Sequence, residues 1–318
     1  MPTKIALIRP NQLHIDCIRN IEDVQLTAVV DVIRRDNQLM EEGLILSDYR
    51  VILTDKMSDG VIVCGNGEYC HEVLINCARA GKSILCETPI LSHSQARKIW
   101  AICQAYNVLL GVSFPHRLSP DQAVVRQKIT KSELGSFQAI NIIKRNNSGL
   151  NYRSTVLTPD LPYRMEIGIN LIDTLRWLFD SEFTQVRPPI MVNESGKGKN
   201  DLGKWILKMN NGLLVRCDFD PFVSPKEERT SSKLEIEILG SEGRPVLRFP
   251  LKTVSLENVR NGKSLNSAKD LICGVMRNFV RAIQGEQPIV ATGLDMLRAH
   301  EVLEAIHLAK NSKDEVFI

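Results

Sequence analysis

The sequence predicts an α/β protein: a doubly wound parallel sheet over residues 1–118, then an α+β domain over 119–318 with a large, mainly antiparallel open sheet. Three observations predict it. Short apolar runs alternate with helical periods in the first half, whereas strand-like runs follow one another with few helices between them in the second. The third is the tetrapeptide Cys86-Glu87-Thr88-Pro89, at a strand end where open parallel sheets hold their ligands.

Taken in order, Lys4 to Ile8 reads as a strand, Gln12 to about Ile21 as a helix and Gln25 to Asp31 as a second strand. Gly60 to Cys64, a helix from His71 to Ala80, and Lys82 to Cys86 form a parallel βαβ unit, with Gly81 in the position after a helix that favours left-handed backbone. A helix from Ser94 to Tyr106 and a strand from Val108 to Phe114 complete a Rossmann-like sheet. After Pro120 comes one helix, then strand-like runs at Phe137 to Ile143, Gln185 to Val192, Trp205 to Met209, Leu213 to Phe219 and Leu234 to Leu239. Such a succession implies antiparallel pairing. Turn-rich loops surround Lys197 to Asn200 and Ser224 to Ser232, and two amphipathic helices, Ser267 to Ile283 and Gly293 to Lys310, close the chain.

Composition narrows the function classes. The net charge of +3 over 318 residues has no concentrated Lys/Arg stripe, so neither nucleic acid nor an anionic membrane surface is an expected partner. No apolar run is long enough to span a bilayer, and the N-terminus carries no secretory leader, which gives a cytoplasmic expectation. The eight cysteines lie mostly inside apolar strands and helices, as reduced, buried thiols do, and no disulfide is expected. Cys64, Cys70, Cys86 and His71 converge on strand ends, yet they contain no C-x-x-C pair, and no metal site is expected. A small molecule, in a crevice between the domains, or a protein partner remains.

Several landmarks follow one another from end to end: Ala80-Gly81-Lys82 before Glu87 and Pro89, Phe114 to Pro120, Glu133-Leu134-Gly135-Ser136-Phe137, Gly168, Asp173-Thr174-Leu175-Arg176-Trp177-Leu178, Leu239-Gly240-Ser241-Glu242-Gly243, and Thr292-Gly293-Leu294-Asp295. In this order the chain resembles the Gfo/Idh/MocA family of NAD(P)-dependent sugar and cyclitol dehydrogenases. The resemblance implies a homodimer formed through the open face of the C-terminal sheet.

The chain departs from the family at its chemistry. The family's glycine-rich loop becomes Arg9-Pro10-Asn11-Gln12-Leu13-His14, without a glycine. Side chains then stand where backbone must approach a pyrophosphate, and Pro10 has no N–H to donate. Arg9 can supply a positive charge directly; Asn11 can simply cap the helix. Asp31 holds the place of the acid for the adenosine ribose, a place where turn and cap residues are also common. By position within the resemblance, the family's catalytic lysine becomes Thr88, its aspartate Glu166 and its histidine Asn170. Threonine and asparagine do not titrate near neutral pH, and losing one acid-base group costs about 10²- to 10⁴-fold in rate. Glu87, beside Thr88, is a further candidate at the cofactor. Arg117, Tyr163 and Asp173 are the candidates for a ligand pocket, with Tyr163 in the loop before a helix on which Glu166, Asn170 and Asp173 share a face. Asn170 bonded to backbone and Asp173 paired with an arginine is the plainer alternative.

Two readings follow. The first is a binding, regulatory or partner protein on a dehydrogenase fold, with no cofactor or only weakly held NAD(P). The second is an active NAD(P)-dependent oxidoreductase acting on a sugar, cyclitol or related polar substrate through a rebuilt site. Three separate losses need three separate compensations in the second, which ranks it below the first.

Overall fold

A computed structural model describes residues 1–30, 45–54, 57–65, 68–87, 92–145, 161–188, 205–217, 233–251 and 266–318. Two compact units divide the chain: Met1–Ser119 with Val254–Leu297, and Pro120–Thr253 with Arg298–Ile318.

The first unit is a six-stranded parallel sheet in the order β3-β2-β1-β4-β5-β6. Its strands are β1 (Thr3–Ile8), β2 (Val24–Val30), β3 (Ile45–Leu46), β4 (Gly60–Val63), β5 (Ser83–Cys86) and β6 (Leu110–Val112). The helices α1 (Gln12–Arg19), α2 (Glu68–Arg79) and α3 (His93–Ala105) connect them. Ile5, Leu7 and Ile8 of β1 are fully buried, as a central strand covered on both faces requires. The chain runs outward from β1 in one direction and from β4 in the other, so the strand order reverses between β1 and β4. Carboxyl ends at such a reversal form the ligand crevice of this architecture.

The helix α6 (Asn266–Ile283) belongs to this unit although it lies far along the chain, so a single cut at 118/119 does not describe the compact units. Its residues Ile272, Val275, Met276, Phe279 and Val280 recur at helical spacing and are buried with Ile5, Leu7, Ile15 and Ile18 in one core. Gly60 permits that approach, since a Cβ there would come within 2.6 Å of Ile283 Cδ1. Cys273 of α6 forms a disulfide with Cys17 of α1, with the two Cα atoms 5.0 Å apart. This corrects the expectation of no disulfide; both cysteines occupy apolar helix faces that the shared core presses together.

The second unit holds α4 (Pro120–Thr130), α5 (Leu161–Phe179), most of α7 (Gly293–Ser312) and a seven-stranded sheet in the order β12-β11-β7-β10-β9-β8-β13. Its strands are β7 (Phe137–Arg145), β8 (Phe183–Arg187), β9 (Trp205–Met209), β10 (Leu214–Cys217), β11 (Lys233–Gly240), β12 (Pro245–Leu251) and β13 (Val316–Phe317). Every neighbouring pair is antiparallel except β7 with β10, which agrees with a mainly antiparallel sheet. The edge strand β12 escaped the sequence reading because Pro245 and Pro250 argue against a strand, and an edge is where prolines are tolerated. Among the described residues, no helix is long and apolar enough to cross a membrane.

Candidate functional site

The site starts where β1 ends. Arg9 adopts φ of 55°, the left-handed region that suits glycine, so the chain keeps a glycine-type turn there without the glycine. Its guanidinium lies 5.8 Å from the centre of the Tyr69 ring, in the first turn of α2. Next, Asn11 caps α1: its Oδ1 accepts from the His14 backbone N–H, and the Asn11 N–H donates to His14 Nδ1. This is a capping box with histidine in the place usually taken by Glu or Gln. Two polar groups at a helix N-terminus of the kind that binds phosphate are thereby bonded within the chain.

From the same ring, Nε2 lies 2.7 Å from Glu87 Oε1, with both side chains buried. Because Nδ1 accepts from Asn11, the ring proton sits on Nε2 and donates to the carboxylate. Glu87 Oε2 accepts from the Gly65 N–H at 2.6 Å. Glu87, placed by the end of β5, thus ties the loop after β1 to the loop after β4. Burial favours a neutral His14 whereas Cys64 and Glu87 push its pKa upward; the Asn11 N–H facing Nδ1 opposes the second proton, so the capped ring is the neutral Nε2–H form. Protonation at Nδ1 would compete with the Asn11 cap.

Cys64 Sγ completes a compact group in which one atom each of His14, Cys64 and Glu87 lies within 4.8 Å of the others. The group has the composition of a metal site but the wrong proton arrangement. A metal on Nε2 requires a proton on Nδ1, and a ligating histidine donates that proton to an acceptor. Here Nδ1 faces the Asn11 N–H. Other thiols of this unit are not activated either: burial raises Cys86, Cys77 to about 12 and Cys103 to about 11. Burial also raises Cys70, against a lowering influence from Arg9.

Arg117 lies on a 3₁₀ turn, Pro115–Leu118, inside the first unit. Its Nη2 is 2.9 Å from Asp295 Oδ1, its Nη1 donates to the Val290 carbonyl at 2.9 Å, and its guanidinium stands over Phe114. Asp295 is also the reciprocal cap of α7: Thr292 N–H and Oγ1–H donate to its Oδ2, while its own N–H donates to Thr292 Oγ1. Burial would raise the Asp295 pKa; Arg117 and Thr292 overcome this and lower it. The Thr292-Gly293-Leu294-Asp295 landmark is therefore a structural joint. Gly293 fits it because a Cβ would meet Leu110 Cδ2 at 2.4 Å.

In the second unit, α5 carries Glu166, Asn170 and Asp173, and it begins at Leu161, so Tyr163 stands inside the helix and not in a preceding loop. The side chains of Tyr163 and Glu166 lie outside the described residues, as do Thr88 and Asp31 altogether. Asp173 has no exposed surface and its Oδ1 is 3.3 Å from Arg176 Nη1; Arg176 in turn grips Glu182 through two bonds of 2.6 Å. Asn170 is 6% exposed, and its Oδ1 is buried without a hydrogen-bond partner among the described residues. The sequence names His14 only as the end of the loop that stands in place of the glycines, and it does not single out Gly65 or Asp295 as partners. The one available signal was Asn11 followed three residues later by a side chain able to return the cap.

Comparisons with known proteins add a frame. Residues 7–114 match the family model described as an oxidoreductase family with an NAD-binding Rossmann fold. The uncharacterized oxidoreductase YrbE of Bacillus subtilis is 23% identical, with 93% of this chain and 90% of that protein covered. The myo-inositol 2-dehydrogenase of Thermotoga maritima is also 23% identical, over 92% of this chain and 90% of its own. Among solved structures, scyllo-inositol dehydrogenase of Lactobacillus casei with NAD(H) and scyllo-inositol superposes with a TM-score of 0.71 at 16% identity, covering 100% of this chain and 99% of that one.

Proposed function

We propose that this chain, whose residues 7–114 match the Gfo/Idh/MocA oxidoreductase family model, is a member of that family that retains its fold while its own side chains fill the dinucleotide loop, and that it acts as a ligand-binding, regulatory or partner protein with lost or strongly reduced dehydrogenase activity. One observation carries this reading: the reciprocal Asn11–His14 cap, locked from behind by Glu87. A pyrophosphate would have to displace bonds already made at the start of α1, and the side chain of Arg9 replaces the bare backbone of a glycine. The residues present do not fit a dinucleotide in its usual pose.

A small hydroxylated molecule is the ligand class we favour. Asn170 Oδ1 is a buried acceptor lacking a donor, and such a group costs about 1–3 kcal/mol until something donates to it. Relatives named for inositol agree with that class. The replacement of a titratable residue by Asn170 would then leave recognition without proton transfer. We further propose a homodimer through the C-terminal sheet and a cytoplasmic location, on the family resemblance and the composition respectively.

A second reading is supported by the backbone of Arg9. It keeps a glycine-like φ of 55°, so the turn needed to approach a phosphate persists, and the guanidinium supplies charge. In that reading the protein is an active oxidoreductase with a rebuilt site.

Thermal shift of the intact protein with NAD⁺, NADH, NADPH and myo-inositol separates the two. A shift with inositol and none with the dinucleotides supports the first reading. Saturable stabilisation by a dinucleotide overturns it in favour of the second.

A further inference from the structure

Helix α1 is only eight residues long, too short to hold itself in water, and three ties fix it: the Asn11 cap, the His14–Glu87 bond and the Cys17–Cys273 disulfide. His14 and Cys17 are three residues apart and both buried, so the bond to Glu87 and the disulfide hold the same side of the same two turns. The first tie sets the loop after β1; the disulfide, one turn further on, sets the helix from which that loop departs. The partner cysteine comes from α6, which enters this unit after β7 to β12 of the second unit's sheet, at a sequence separation of 256.

We infer that Cys17 and Cys273 form a redox-controlled clasp that fixes α1 and, through it, the Arg9–Asn11 loop. The opening step is thiol–disulfide exchange. A thiolate of the glutathione or thioredoxin class attacks Cys273 Sγ, which is half-buried where Cys17 is almost wholly covered. The sulfur–sulfur bond breaks, Cys17 leaves as thiolate and takes a proton, and a mixed disulfide forms on Cys273. A second thiol attacks that mixed disulfide and releases oxidised reagent and the Cys273 thiol. Two electrons and two protons pass from the reductant to the two cysteines; oxidation by glutathione disulfide runs the same steps backward. After reduction α1 keeps its apolar packing and the Asn11 and Glu87 ties but loses its covalent stop. The remaining six cysteines stand outside the clasp.

This inference does not rest on whether a dinucleotide binds, because its test reads thiols and amide exchange. The intact protein is equilibrated with oxidised or reduced glutathione, then denatured and alkylated for mass spectrometry, with hydrogen exchange run on parallel native samples. The clasp predicts six alkylated cysteines in the oxidised sample and eight in the reduced one. Amides of 12–19 should exchange about tenfold faster after reduction, with those of 205–217 unchanged. The Cys273→Ser variant should show the reduced exchange rates under both conditions. Eight alkylated cysteines after oxidation would overturn the clasp, as would identical exchange of 12–19 in the two wild-type samples. Loss of protection in 205–217 on reduction would overturn it too, because the disulfide would then be a staple for the whole chain and not a control on α1.

Discussion

The strand ends of the first unit and Asn170 on helix α5 of the second unit treat buried polar atoms in opposite ways. His14, Glu87, Arg117 and Asp295 are buried or nearly so, and each is bonded to partners inside its own unit. On α5, Asn170 buries an acceptor that none of the described residues satisfies. A buried polar atom with partners supports the fold, whereas one without them costs stability and persists where something outside the chain can bond to it. The contrast separates residues turned to structural use from a residue still available for recognition, and it can be broken from either side.

The largest effect is expected at the Arg117–Asp295 pair. Arg117→Met leaves a mostly buried carboxylate without its cation and should cost about 3 kcal/mol, read from denaturant unfolding. The same pair gives an acid dependence with a definite sign. The folded pKa of Asp295 is lowered, so its contribution is complete above the ordinary carboxylate value of 3.8 and disappears as pH falls through the lowered folded value. Arg117→Met should flatten that acid limb of the stability curve.

Next comes Glu87→Ala, which strands the His14 Nε2–H and the Gly65 N–H together. A loss of about 2–3 kcal/mol is expected, with faster exchange at the Gly65 amide. Should Glu87→Ala prove neutral, the latch would be incidental and the structural half of the contrast would fail. Asn11→Ala removes one cap and should cost about 1 kcal/mol. The smallest effect has the opposite direction: Asn170→Leu removes the unsatisfied acceptor, so the ligand-free protein should gain up to about 1 kcal/mol while any stabilisation by myo-inositol is lost. A destabilised Asn170→Leu protein would mean that the carboxamide supports the fold after all.

Much of the fold was legible because it is written locally. The strands β1, β2, β4, β5 and β6, the closing helices α6 and α7 and the strand β9 all follow from periodicity within a window of a few residues; the two-residue β3 does not. The links of the site were not, because their partners are distant in sequence: 73 residues from His14 to Glu87, and 173 from Arg117 to Val290. The disulfide was hidden for a second reason. Cysteines in apolar helix faces look the same whether they pair or not, and pairing cannot be deduced from spacing. Asp173 illustrates the reverse case. Its plainer alternative, an arginine partner, was legible because Arg176 lies one helical turn away and is the residue found beside it. Asn170, by contrast, leaves its Oδ1 without a partner among the described residues, which a helical spacing does not foretell. Arg9 shows how sequence and backbone can part: the glycine is gone, but the glycine-like φ remains.

The start of α1 is already occupied by the chain's own groups. Titration of the intact wild-type protein with NADH, followed by nicotinamide fluorescence and checked by calorimetry, tests it most directly. No saturation is expected up to about 1 mM cofactor, a binding free energy weaker than about −4 kcal/mol. Saturable binding with a Kd near 1 μM, equivalent to about −8 kcal/mol, would contradict it.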